Sequence, residues 1–112
     1  MSPCIFCKIA AGEVQSQFVY EDDSVVAFKD LNPVAPTHLL VVPRKHLRCV
    51  ADAAPEDGEL LGHMQLVVGD VAKKAGLTDF RVVTNNGKGA GQSVDHLHYH
   101  VLSGRRMNWP PG

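Results

Sequence analysis

Apolar and polar positions change their spacing several times along the chain, and each change predicts an element. Phe18 to Glu21 and Val25 to Phe28 are short β-prone runs on either side of Glu21-Asp22-Asp23-Ser24, the pattern of a hairpin. His38 to Pro43 carries Leu39-Leu40-Val41-Val42 with no alternation at all. A strand of that kind suits the middle of a sheet, where both faces are covered. Pro55-Glu56-Asp57 opens the strongest helix pattern. Its acidic start complements the helix dipole, and Leu60, Leu61, Met64, Val67, Val68 and Val71 form an apolar stripe. Lys73 and Lys74 lie in the last turn, and Gly76 stops it. Phe80 to Thr84 and Leu97 to Leu102 read as two further strands, separated by the polar, glycine-rich stretch from Asn85 to Ser93. Near the start, Cys4 to Ala11 predicts a short helix or a knuckle ending at Gly12. Asn32 to Pro36 is a loop with two prolines limiting its freedom. Strands, then a helix, then strands again predict an α+β domain with a largely antiparallel sheet.

Composition narrows the picture. A length of 112 residues predicts one domain, residues 1–112, with a real core and no room for a separate regulatory module. Apolar residues make up 45% and charged residues 21%, and the formal charge is −1. Bulk electrostatics therefore give no reason to expect nucleic acid or a membrane surface as partner. No run is long enough for a transmembrane helix, and the first residues lack a signal-peptide core. The expected location is cytoplasmic. Three cysteines in a reducing compartment read as thiols or metal ligands rather than disulfides.

The chemistry concentrates in His96-Leu97-His98-Tyr99-His100, which holds half of the six histidines. On a regular strand these three imidazoles would share one face, with Leu97, Tyr99 and Val101 on the other. Imidazoles at that spacing suit either metal binding or nucleophilic and acid–base work. One neutral ring can attack phosphorus, and a second, protonated, can neutralise the anion and pass a proton to the leaving group. The loop Asn86-Gly87-Lys88-Gly89-Ala90-Gly91-Gln92-Ser93 lies just upstream, and its glycines permit N–H groups to converge on an anion. It matches neither a Walker A loop nor a dinucleotide fingerprint. Cys4-x-x-Cys7 is ambiguous between redox and zinc chemistry; His46 and His96 are candidates to complete four ligands. Cys49 reads as a small buried residue and His63 as a surface one.

Taken together these residues resemble the histidine triad (HIT) family, most closely its Hint-type branch. The resemblance runs from Cys4 to Gly112. It rests on Ile5-Phe6-Cys7-Lys8-Ile9, Pro36-Thr37-His38, Gly91-Gln92-Ser93-Val94, the run His96 to Leu102, and the ending Trp109-Pro110-Pro111-Gly112. It implies an antiparallel sheet of about five strands with a long helix and a short N-terminal one, forming a homodimer. It implies a purine nucleotide ligand of AMP or GMP type. It also implies hydrolysis of the P–N bond of nucleoside 5′-phosphoramidates through a nucleotidyl-histidine.

Residue by residue, His98 matches the family nucleophile and His100 the partner of phosphate and leaving group. His38 matches the remote triad member. Ser93 and the backbone at Gly91 and Gln92 match the phosphate cradle, with Asn85 a further contact. Asp30 matches the carboxylate that receives ribose hydroxyls, Leu31 lies against the base, and Trp109 shapes substrate choice from across the dimer. Cys4, Cys7, His46 and His96 match a structural zinc site, and no organic cofactor is implied. His96 must then turn away from its neighbours, so strict alternation fails at the start of the strand. Asp95 and Asn108 depart from the residues many relatives carry. Two other readings share these residues: a dinucleoside polyphosphate hydrolase or nucleotidyl transferase, and a nucleotide-binding module without turnover.

Overall fold

A computed structural model of the protein describes residues 3–112. A short helix α1 (Ile5–Ala10) is followed by strands β1 (Phe18–Glu21), β2 (Val25–Lys29) and β3 (Thr37–Pro43). Helix α2 (Gly58–Lys74), β4 (Arg81–Val83) and β5 (Tyr99–Ser103) complete the chain order. The strands form one antiparallel five-stranded sheet, in the order β1-β2-β3-β5-β4. The α+β class, the antiparallel sheet and both helices agree with expectation. Among the described residues no helix is long and apolar enough to cross a membrane.

The β1–β2 turn is built by Asp22, whose carboxylate accepts from the Ser24 and Val25 amides at 2.8 Å each. The unbroken apolar run of β3 has its reason in the topology. β3 is the central strand, and its residues from His38 to Pro43 are all buried. Leu39 and Val41 face α2, in a core with Val25, Ala27, Met64, Val67, Val71, Tyr99 and Val101. Leu40 and Val42 face the opposite layer, with Val26, Phe28 and the α1 residues Phe6 and Ile9. The two layers are unequal. Helix α2 has 17 residues and roofs its face; α1 has 6 and covers only part of the other. The uncovered part holds the cleft that His98 and His100 line.

Two boundaries differ from the sequence reading. The Pro55–Asp57 segment is a 3-10 turn that leads into α2. It is tied down by the buried Asp57, which accepts from the Ala54 amide at 2.9 Å and from Lys45. The last strand begins at Tyr99 rather than Leu97. Leu97 still packs in the α2 core, but its amide bonds to the Leu47 carbonyl at 2.6 Å, outside the ladder. His96 and His98 thus precede the strand, and the three rings do not share one strand face. His63 also differs from a bare surface residue: its Nε2 lies 2.6 Å from the Asp22 carboxylate and joins α2 to the hairpin.

Candidate functional site

β3 and β5 present two histidines on the α1 side of the sheet. His38 pairs with Leu102 in register and Leu40 with His100, so the rings are diagonal neighbours. His38 Nε2 lies 2.8 Å from His100 Nδ1 and 3.3 Å from an Asp30 carboxylate oxygen. The Val34 amide donates to His38 Nδ1 at 3.1 Å. An amide can only donate, so neutral His38 carries its proton on Nε2 and offers it to His100 Nδ1. His100 in turn keeps its proton on Nε2, the nitrogen left to face the cleft.

His98 is set by a different device. Its Nδ1 lies 2.7 Å from the His96 carbonyl oxygen, an acceptor, so Nδ1 holds the proton and Nε2 a lone pair. Phe6 from α1 packs edge-on against the ring, with centroids 5.0 Å apart, and His100 lies 4.9 Å away. His98 is 3% exposed. The result is an oriented imidazole beside a second imidazole that offers an N–H.

Burial pushes His100 down to about 4, helped by the neighbouring His98 and His38. His38 is also lowered by burial, against the opposing pull of Asp30. This corrects one expectation. In the free protein near neutral pH His100 is neutral, and it meets an incoming phosphate as an N–H donor rather than as an imidazolium.

His98 and His100 open into a cleft of about 880 Å³ lined also by Phe6, Ile9, Phe28, Asp30, Leu31 and Ser93 among others. Its size suits a small-molecule ligand. One side is apolar, and Leu31 at its rim is 93% exposed. Asp30 is shaped by an Asx turn in which the Asn32 amide donates to its carboxylate at 2.8 Å. Lone pairs remain for further donors.

The glycine-rich loop needs an internal brace, which sequence reasoning missed. Gln92 is buried; its Oε1 accepts from the Gly87 amide at 2.8 Å. Its Nε2 donates to the carbonyls of Arg48 at 2.5 Å and Val94 at 3.0 Å. Gly91 takes a left-handed backbone with φ of 97°, and Asn85 Nδ2 reaches its carbonyl at 3.5 Å. The loop thus delivers Ser93 to the cleft, while Gly91, Gln92 and Asn85 stand behind it. Trp109 is elsewhere. It is 82% exposed, sits over Arg81 of β4, and does not line the cleft of its own chain.

On the far side of His98, Cys4, Cys7, His46 and His96 bring four donor atoms within 4.8 Å of one another. His96 Nδ1 lies 3.3 Å from Cys4 Sγ, 3.4 Å from Cys7 Sγ and 3.1 Å from His46 Nδ1. Cys7 Sγ is 3.2 Å from His46 Nδ1. The edges of a tetrahedral zinc site with thiolate and imidazole ligands are about 3.3–3.8 Å, so the set fits zinc with slight expansion. His96 Nε2 donates to the Pro43 carbonyl at 2.7 Å, which leaves Nδ1 free of a proton for a metal. The ambiguous Cys4-x-x-Cys7 pair thereby sits in a metal-type donor set rather than beside a βαβ redox motif. The structure thus divides the histidine run by place: His96 in this cluster, His98 and His100 in the cleft.

Comparison with known proteins follows the same lines. The family described as "Scavenger mRNA decapping enzyme C-term binding" matches residues 3–109. The protein HitA of Neisseria gonorrhoeae is 55% identical over 103 residues, covering 91% of this chain and 96% of that one. A 14 kDa zinc-binding protein of Zea mays is 50% identical, covering 99% of this chain and 89% of that protein. A HIT family hydrolase from Legionella pneumophila superposes with a TM-score of 0.93 at 45% identity, covering 97% and 99% of the two chains. A histidine triad protein from Clostridium difficile superposes with a TM-score of 0.92 at 49% identity, covering 96% of each.

Proposed function

Because the chain belongs to the histidine triad family, we propose that it is a nucleotide hydrolase that cleaves the P–N bond of purine nucleoside 5′-phosphoramidates. The observation that carries this reading is His98. Its ring is oriented through Nδ1 by the His96 carbonyl, and its free Nε2 is in the cleft beside His100.

In this scheme the purine lies between Leu31 and the apolar wall of the cleft, and Asp30 receives the ribose hydroxyls. Ser93 and the loop behind it, with Gly91, Gln92 and Asn85, hold the phosphate. His98 Nε2 attacks the α-phosphorus in line with the leaving amine. A bond forms from Nε2 to phosphorus while the P–N bond breaks, and its electron pair leaves with the amine. The departing amine takes the Nε2 proton of His100, which solvent replaces, because the bound anionic phosphate raises the basicity of that ring. His38 holds His100 in register throughout. Water then attacks phosphorus, frees His98 and releases the nucleoside monophosphate.

Zinc, bound by Cys4, Cys7, His46 and His96, would have a structural role. It would supply cross-linking between α1, the segment after β3, and the start of the histidine run, with no part in the displacement. The maize relative is named for zinc binding, which supports the assignment. The proposed setting is the cytoplasm, whose reducing poise keeps the cysteines available as ligands. The proposed assembly is a homodimer, with Trp109 of one copy acting at the site of the other.

The test is turnover of an adenosine 5′-phosphoramidate by wild type and His98→Ala, with rapid quench and intact-protein mass. Wild type is expected to accumulate a nucleotidyl adduct transiently, and the variant to show neither adduct nor turnover. Undiminished turnover by His98→Ala would remove the mechanism. Faster cleavage of a diadenosine polyphosphate than of the phosphoramidate would move the protein to the polyphosphate reading.

A further inference from the structure

At its Nδ1 side the tautomer of His38 is set by one amide, and that amide belongs to an exposed loop residue. Val34 donates to His38 Nδ1, yet Val34 is 61% exposed and has little packing of its own. Something else must hold its peptide units in place. The C-terminal end of β5 reaches this loop. Ser103 pairs with Thr37, so Gly104 comes to lie against Pro36. Gly104 has φ of 99°, and a Cβ placed there would come within 2.7 Å of the proline ring. That closeness requires glycine at this position. It brings Arg105 over the loop, where Nε donates to the Val34 carbonyl at 3.1 Å. The guanidinium is itself steadied, with Nη1 3.3 Å from both the Arg106 carbonyl and the Met107 sulfur.

We propose that Arg105, docked through Gly104, is a positioning residue for the histidine pair. It fixes Val34, which fixes the tautomer of His38, which fixes the tautomer of His100. A continuous run of contacts joins them: Arg105 to the Val34 carbonyl, the Val34 amide to His38 Nδ1, and His38 Nε2 to His100 Nδ1. Loss of the Val34 amide would permit His38 to carry its proton on Nδ1. Two lone pairs would then face each other across the 2.8 Å contact with His100. His100 would relieve the clash by moving its own proton to Nδ1, leaving a bare nitrogen towards the cleft and no donor for the phosphoryl group. The groups that face His38 are Asp30 from the end of β2 and His100 from β5. Asp30, 3.3 Å from His38 Nε2, favours the Nε2–H form by itself, so loss of the Val34 amide gives a mixture of tautomers rather than a complete switch, and His100 follows whichever form His38 takes.

The inference rests on the proposed reaction for its kinetic readout alone; the tautomers are measured without substrate. Nitrogen-15 NMR of the histidine rings in the zinc-loaded full chain is expected to show His38 and His100 as single Nε2–H tautomers in wild type. Arg105→Met should give mixed tautomers at both rings, and Gly104→Ala, which displaces the same segment from a different residue, should do likewise. Arg105→Lys should recover much of the wild-type pattern. Arg106→Met, with an equal loss of charge, should match wild type. In turnover of the phosphoramidate, Arg105→Met is expected to lower kcat about fivefold, with KM little changed, as loss of a positioning contact does. Wild-type tautomers in both Arg105→Met and Gly104→Ala overturn the inference whatever the kinetics. The same tautomer change in Arg106→Met overturns it too, as a general charge effect. If wild type shows no turnover, the proposed reaction fails while the ring spectra still decide this point.

Discussion

Three of the four rings around the site are oriented by a main-chain group, His96 by the Pro43 carbonyl, His98 by the His96 carbonyl and His38 by the Val34 amide, and the fourth, His100, is held by the His38 ring. Backbone partners cannot rotate away, so ring and tautomer are selected together. Burial adds a pH dependence. His100 is pushed down to about 4 from an ordinary value of 6.5. Between those values the unfolded chain binds more protons than the folded one. The contribution to stability is therefore complete above about pH 6.5 and is lost as pH falls towards 4. Urea midpoints measured across this window with saturating zinc should fall more steeply for wild type than for His100→Gln; parallel slopes would show that His100 is not the group. Gln92 carries a larger penalty. Gln92→Leu leaves the Gly87 amide and the Arg48 and Val94 carbonyls without their partner, and about 2–3 kcal/mol of stability is expected to go with them. Equilibrium unfolding reads this directly, and a loss under about 0.5 kcal/mol would mean that water replaces the amide. The two cases differ in legibility. His98 and His100 stand out by residue type, while Gln92 is one polar residue among several in a loop. Nothing in its local context states that its side chain points inward.

At the scale of elements the layers were legible and their joints were not. The apolar stripe of α2 and the unbroken run of β3 each follow from which faces they bury. β5 starts two residues later than the apolar pattern predicts because Leu97 continues the apolar alternation into the core while its amide bonds outside the ladder. Hydrophobic pattern reports side chains, and ladder partners are invisible to it. The Cys/His cluster is illegible in the sequence for a related reason: Cys4 and His96 are 92 positions apart, and only the sheet brings them together. Helix α1, with 6 residues, is too short to be stable alone and depends on Phe6, Ile9 and its end contacts. Arg44 supplies one such contact, donating to the Ala10 carbonyl. Zinc would supply the other. Metal analysis should give about one zinc per chain in wild type and much less in Cys4→Ser. Hydrogen exchange on adding a chelator should open residues 4–11 and 44–47 while α2 and β3 stay protected. Equal zinc in both proteins would remove Cys4 from the ligand set.

At the scale of the molecule, the sheet ends in an edge that is short and apolar. β4 spans Arg81–Val83 and pairs with β5 on one side. Val82 pairs with Val101, whose side chain is in the α2 core, so Val82 points to the α2 side of the sheet and is 40% exposed there. On the same layer, Leu66 of α2 is 74% exposed, and Phe80 beside β4 is 39% exposed. A second copy joined at this edge would cover β4, Val82 and Leu66 at once, which is how a free edge and apolar patch are best relieved. It would also carry Trp109, which sits over Arg81 of β4, towards the neighbouring subunit. Light scattering at about 10 μM, where a stable interface of ordinary size is occupied, should give wild type twice the 12.1 kDa chain mass. Leu66→Asp should give the single-chain mass, because a carboxylate buried in that contact has no partner. Its circular dichroism should match wild type, since Leu66 takes no part in the core of its own chain. The monomer then separates two roles. If Trp109 acts from the partner, Leu66→Asp should still form the nucleotidyl adduct on His98 but discriminate less among leaving amines. A wild type that scatters as a single chain would end the dimer proposal and with it the assignment of Trp109 to the neighbouring site.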